Sequence, residues 1–185
     1  MNQIAQAEML RLLGGTSIRL LRRLLPTSVP DFGADLHPVL QRVYGARAVS
    51  SAEQLETGLN RLAGFEKLAG IERATQLLHE ALEAQVPILI VGDFDADGAT
   101  SAALMVKGLT ALGAQNVGYL VPNRFEFGYG LSPQIVEVAL RQKPSLLVTV
   151  DNGITSVDGV ALARANGVQV IVTDHHLPGA ELPDA

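Results

Sequence analysis

The chain has 185 residues, 48% of them hydrophobic, with no cysteine and a formal net charge of −5. That length holds one domain plus an arm, and that apolar content builds a core rather than a disordered chain. Without cysteine there are no disulfides, zinc–thiolate sites or thiol nucleophiles, and the acidic balance carries no global signature of nucleic-acid binding.

No apolar run approaches the ~20 residues of a membrane span, and the N-terminus lacks the apolar core of a signal peptide. A cytoplasmic protein with no membrane partner is the expectation. In chain order, Met1 to Leu25 is predicted as a helical N-terminal arm with basic positions Arg11, Arg19, Arg22 and Arg23, interrupted by Gly14-Gly15. It reads as a solvated arm, or as a weak phosphate contact. Pro26 to Pro38, with three prolines and a glycine, reads as a linker. Val39 to Tyr44 is a short helix. Ser51-Ala-Glu-Gln54 fits a capping box that opens a helix to about Leu62. Ile71 to Ala84 places Ile71, Ala74, Leu78 and Leu82 at helical spacing. His37 and His79 read as ordinary surface histidines.

From Val86 the pattern becomes strand–helix alternation. Strands are predicted at Ile88 to Val91, Val117 to Val121, Leu146 to Val150 and Val168 to Thr173. The helices between them run Ala99 to Leu112, Pro133 to about Gln142 after an N-cap at Ser132, and Val157 to Ala165. Repeated β-α-β units imply right-handed crossovers: an α/β fold, a parallel sheet with helices on both faces. The division is 1–66 for arm and short helices and 67–185 for the α/β domain.

The stretch GDFDADGATS after the first strand puts Asp93, Asp95 and Asp97 at every second position before Gly98. An EF-hand loop begins similarly, but its twelfth position here is Leu104, and a strand precedes it. A P-loop has four residues between its glycines; here five separate Gly92 from Gly98. The aspartate-nucleophile pattern D-x-D-x-T stays open, although Ala99 stands where its threonine belongs. A solvated turn of aspartates is the bland alternative.

The residues after the other three strands decide between these readings. Asn123 to Gly130 comes after the second strand, Asp151-Asn152-Gly153 after the third and Asp174-His175-His176 after the fourth. Parallel strands bring all four ends to one sheet edge, where ligands bind. Hard carboxylates with imidazole and no thiolate suit Mn²⁺ or Mg²⁺, and several carboxylates suggest two ions sharing one aspartate. Such pairs clamp the attacking and leaving oxygens of a phosphoryl displacement. The predicted ligands are Asp95, Asp97, Asp151 and His175. Asp93 stands as a further ligand, a partner to a ligand or a strand cap. Asp174 orients an imidazole, and His176 contacts the scissile phosphate or protonates the leaving oxygen. Asn123, Arg124 and Tyr129 supply polar, guanidinium and aromatic groups suited to nucleic acid. The same loop also reads as a structured turn whose rings pack on the sheet.

Together GDFDADGATS, VPNRFEFGYGLS, VTVDNGI and VTDHH resemble the first four motifs of the DHH phosphoesterases, and the NRF-x-x-GYGLS form resembles their branch of single-strand-specific 5′→3′ DNA exonucleases. The resemblance covers most of the chain. It implies a two-metal nuclease releasing 5′-mononucleotides in DNA recombination and repair, with ligands at Asp95, Asp97, Asp151 and His175 and a substrate-proximal His176. It implies single-stranded DNA with a 5′ end as substrate, and a single-strand-binding protein and a recombination helicase as partners. Gly92 and Asp93 stand where some members carry a histidine. Relatives continue past the equivalent of Ala185 with a further metal-binding aspartate, a DHH-associated domain and an OB domain, so the chain is expected to be a fragment with little activity alone. Other DHH enzymes acting on short oligonucleotides or cyclic dinucleotides, and a metal-free binding or scaffold relative, are the alternatives.

Overall fold

The computed structural model describes residues 4–11, 17–23 and 30–185, with side chains described from residue 30 onward except at Arg124. They form two compact units, Met1–Gly64 and Phe65–Ala185.

In the first unit the predicted helical arm is not found. Its described residues form two strands, β1 (Ile4–Arg11) and β2 (Ser17–Arg23), paired antiparallel with Met9 opposite Arg19 and Arg11 opposite Ser17. The Gly14-Gly15 pair lies between them in sequence. Each glycine costs a helix interior about 1 kcal/mol relative to alanine, which breaks a helix over 1–25. Helix α1 (Pro38–Gly45) forms as expected. Its proline occupies the first turn, and His37 caps it, Nδ1 accepting from the Val39 N–H at 3.2 Å. The helix expected after Ser51 is replaced by single 3₁₀ turns at Ala52–Leu55 and Leu59–Arg61. Ser51 makes no side-chain cap, while Gln54 Oε1 accepts from the Ser50 N–H at 2.8 Å. Gly58 interrupts the run, and Leu59 and Leu62 are exposed, so no apolar face holds a longer helix together.

The second unit carries α2 (Ile71–Glu83), β3 (Ile88–Gly92), α3 (Ala96–Ala111), β4 (Val117–Leu120), α4 (Arg124–Phe127), α5 (Pro133–Leu140), β5 (Leu146–Val150), α6 (Val157–Ala165) and β6 (Gln169–Thr173). The four strands form one sheet in the order β4-β3-β5-β6, every pair parallel. Ile88 pairs with Val117 on one side and Leu146 on the other. The chain steps outward from β3 to β4, then crosses back over β3 to β5 and β6. The order therefore reverses between β3 and β5, and the crevice at their carboxyl ends is the switch point where such folds bind ligands.

Both faces of the sheet are covered. Ile88, Ile90, Leu146, Val148 and Ile171 pack with Leu77 and Ala81 of α2 and Ala102 and Leu109 of α3. Leu89, Val91, Leu147 and Val170 pack with Ile135, Val136 and Ala139 of α5 and Val160 and Ala163 of α6. Successive strand residues thus serve opposite cores, which is why the strands read as unbroken apolar runs. In α2 the deepest residues are Leu77 and Ala81, and His79 is exposed. Helix α3 begins three residues before the predicted Ala99, because Asp95 caps it. Among the described residues no helix is long and apolar enough to cross a membrane.

The tightest packing lies between α6 and the segment before α5. A Cβ on Gly159 would overlap the carbonyl oxygen of the fully buried Leu131. Gly159→Ala should destabilise the chain by about 1–3 kcal/mol, the usual cost of overpacking. Gly108→Ala, on α3 with nothing within 4 Å of its added Cβ, should be neutral or slightly stabilising. Urea unfolding followed by circular dichroism measures both, and equal midpoints would contradict the packing described.

Candidate metal centre

Four strand ends build the site. Asp93 follows Gly92 directly and is buried, its Oδ1 accepting from the Phe94 N–H at 2.8 Å. Asp95 caps α3, its Oδ1 accepting from the N–H groups of Asp97 and Gly98, both at 3.1 Å. Asp97 stands in the first turn, and its carbonyl accepts from the Ser101 hydroxyl. Gly98 is required by space: a Cβ there would overlap the backbone of Asp93. The glycine thus lets α3 leave immediately beside the end of β3, which keeps Asp93 and Asp95 together.

Asp151 follows β5 in the left-handed backbone region, at φ 63°. That conformation costs a residue with a Cβ about 1–2 kcal/mol, and aspartate is among the types that tolerate it. Its N–H donates to the Thr173 carbonyl at 3.0 Å, tying it to β6. Buried Asn152 donates through Nδ2 to the Val91 carbonyl at 3.1 Å and the Val150 carbonyl at 3.0 Å, clamping the ends of β3 and β5. Sequence reasoning misses Asn152; a polar residue beside a strand-end aspartate is the one available signal.

Among the described residues, ligand atoms gather in two overlapping groups, Asp93–Asp95–Asp151 and Asp151–His175–His176, each with one donor atom per residue within 4.8 Å of the others. Asp151 belongs to both. Its Oδ1 meets His175 Nε2 at 2.9 Å, and its buried Oδ2 has no hydrogen-bond donor. Burial pushes the Asp151 carboxyl above the usual range, His175 pulls it back down and Asp95 raises it further. An orphaned buried carboxylate oxygen among hard donors fits a divalent cation.

Asp97 lines the adjoining cleft of about 510 Å³ with Thr100, Ser101, Asp151, Asp174 and His175, but joins neither group. Asp174 orients His176 rather than His175. Its Oδ1 accepts from His176 Nδ1 at 2.7 Å and from the His176 N–H at 3.0 Å, and its Oδ2 from the Ile154 N–H at 2.9 Å. Burial works against the Asp174 charge, yet these donors outweigh it and hold the carboxyl below its ordinary range. Asp174 in turn raises the His176 imidazole above its ordinary value. The Tyr129 hydroxyl donates to the Asp151 carbonyl at 3.2 Å and lies 2.9 Å from His176 Nδ1. Asn123 holds the short α4: its Oδ1 accepts from the Phe125 N–H and its Nδ2 donates to Glu126 Oε1, both at 3.0 Å. Arg124 opens α4.

A doubly wound parallel α/β domain with carboxylates and imidazoles gathered at its switch point defines a protein with a strand-end site for divalent cations. The chain belongs to the DHH family, whose N-terminal domain model matches residues 87–185. It is similar to the single-stranded-DNA-specific exonuclease RecJ of Salmonella typhimurium, 52% identical over 167 residues, which are 90% of this chain and 29% of that protein. RecJ of Escherichia coli K12 is 50% identical over 165 residues, 89% of this chain and 29% of that one. A crystal structure of exonuclease RecJ bound to manganese superposes with a TM-score of 0.60 at 43% identity, covering 66% of this chain and 31% of that one. The chain spans about 29% of the length of these curated relatives.

The His176–Asp174 pair gives a pH prediction for the metal-free protein in EDTA. A raised histidine stabilises fully below its ordinary value near 6.5 and loses that contribution as pH rises through the folded value. A lowered aspartate stabilises above its ordinary value near 3.9 and loses that contribution as pH falls through the folded value. The pair is therefore fully effective between about 3.9 and 6.5. In an NMR titration His176 should show a midpoint above an ordinary histidine, falling back in Asp174→Asn. An unchanged midpoint in that variant would show that the pair does not form in solution.

Proposed function

We propose that the chain carries the metal-binding half of a nuclease site that hydrolyses single-stranded DNA from its 5′ end, releasing 5′-mononucleotides, in DNA recombination and repair. The observation that supports it most is Asp151, buried, with one oxygen lacking a donor, and common to both ligand groups. Asp93, Asp95 and Asp151 would hold one ion, Mn²⁺ or Mg²⁺, and Asp151 with His175 would hold a second, with Asp97 on the cleft wall beside them. Bound there, such ions supply Lewis acidity toward the phosphate and lower the pKa of water for attack.

The chain's own residues do the rest. Asp174 fixes the His176 ring through Nδ1 and favours its protonated form, which would give a proton to the departing oxygen, with Nε2 lying 3.5 Å from the Tyr129 hydroxyl. Tyr129 ties the loop after β4 to Asp151 and His176. The sequence places Arg124 in this loop, and a guanidinium suits a phosphate, while Asn123 holds α4. The single strands would come through a single-strand-binding protein and a recombination helicase in the cytoplasm.

The test uses the full-length protein, Mn²⁺ and a 5′-phosphorylated single strand. Asp151→Asn keeps the shape and a residue that tolerates φ 63° while removing the charge. Its kcat should fall by more than the ~10–100-fold that partners outside the ligand set typically cost, with the unfolding temperature in EDTA retained or raised. Near-normal digestion by Asp151→Asn would contradict the assignment.

A further inference from the structure

Ser156 stands at the N-cap position of α6, where a serine ordinarily accepts from the first N–H groups of its own helix. It makes no such cap. Its hydroxyl oxygen instead accepts from the Leu131 N–H at 3.0 Å, 25 residues away in the chain. The backbone is shaped for this approach. Gly130 lies in the left-handed region at φ 81°, and a Cβ there would come 3.0 Å from Ser156 Oγ. On the same side of α6, the Leu131 carbonyl oxygen occupies the place that a Cβ on Gly159 would need. Leu131 itself is fully buried. The end of the loop after β4 is therefore anchored on the start of α6, and Ser156 gives up its own helix cap to hold it.

The anchor closes a circuit around the metal centre. Leu131 leads back through Gly130 to Tyr129, whose hydroxyl donates to the Asp151 carbonyl at 3.2 Å and lies 2.9 Å from His176 Nδ1. The Tyr129 and His176 rings meet edge to face, with centroids 5.5 Å apart. His176 is held by Asp174, and Asp174 Oδ2 accepts from the Ile154 N–H. Ile154 leads through Thr155 back to Ser156. The loops after β4, β5 and β6 are thus tied in one ring of hydrogen bonds and short chain segments. A bond that merely satisfied the buried Leu131 N–H would matter to folding and not to chemistry. Here the bond sits two residues from Tyr129, so its loss frees the loop to carry that hydroxyl away. We infer that Ser156 is a positioning residue, whose bond to Leu131 sets the Tyr129 hydroxyl against Asp151 and His176. This rests on the nuclease reading and deepens it: Ser156 stands outside both ligand groups and acts on hydrolysis through Tyr129.

The experiment uses the full-length protein with Mn²⁺ and a 5′-phosphorylated single strand. Ser156→Ala should lower kcat and kcat/KM together by roughly 10-fold, the lower end of what partners outside a ligand set cost, with KM unchanged. In a Tyr129→Phe background, which lacks the hydroxyl, the same substitution should cost nothing further. Ser156→Thr keeps the bonding oxygen and should restore the rate. In the metal-free protein, the nuclear Overhauser contact between the Tyr129 and His176 rings should weaken in Ser156→Ala. Equal losses of kcat in the wild-type and Tyr129→Phe backgrounds would overturn the assignment, as would a lower unfolding temperature with kcat retained, which makes the bond one of packing alone. A wild type that hydrolyses no strand would instead sink the nuclease reading. The ring contact would still decide the positioning, since a contact kept in full by Ser156→Ala contradicts it.

Discussion

The buried carboxylate of Asp151 is the constraint on which the rest of the site depends. A charge taken out of water at the end of a central strand is costly unless paired, and its first effect is to push the carboxyl pKa up. The chain compounds that cost with a left-handed backbone at the same residue. A carboxyl raised in the folded state destabilises the fold as pH rises past its ordinary value, so this arrangement works against the free protein at neutral pH. Much of the surrounding structure holds Asp151 in place: the Thr173 carbonyl takes its N–H, Asn152 binds the two strands beside it, Tyr129 donates to its carbonyl and His175 meets one oxygen. A cation at the remaining oxygen would turn the penalty into binding energy.

The reversal of strand order explains why the ligands converge. Because β3 and β5 are adjacent while β4 lies beyond β3, the loops after β3 and β5 leave the same edge with no crossover between them. Helix α3 starts at once, and its N-terminus turns partial positive charge toward Asp93, Asp95 and Asp97. That field offsets part of their mutual repulsion before any ion binds. Gly98 permits this short path, since a side chain there would force the helix away from Asp93.

Much of this is legible in the residues. The sheet's strands are apolar runs ended by turn chemistry, so Ile88, Leu146 and their neighbours announce themselves, and the acidic and histidine residues fall directly after β3, β5 and β6. The N-terminal strands are not legible in the same way. Basic spacing suggests a helix as readily as a strand, and Gly14-Gly15 reads as an interruption rather than as the division between two elements. Asp97, expected as a ligand with Asp95, stands in the first turn of α3 and lines the same cleft as Asp151 and His175. The contacts of Asn152 with Val91 and of Tyr129 with Asp151 span 61 and 22 residues, and no local pattern encodes them. The pairing of Asp174 with His176 rather than His175 likewise depends on how the chain turns after β6.

The most direct measurement is calorimetric titration of Mn²⁺ into the metal-free protein, wild type against Asp151→Asn. If Asp151 is the shared ligand, the wild type binds saturably, releases protons as it does so, and the single substitution weakens every Mn²⁺ site together. Equal Mn²⁺ affinity and stoichiometry in the two proteins would contradict it.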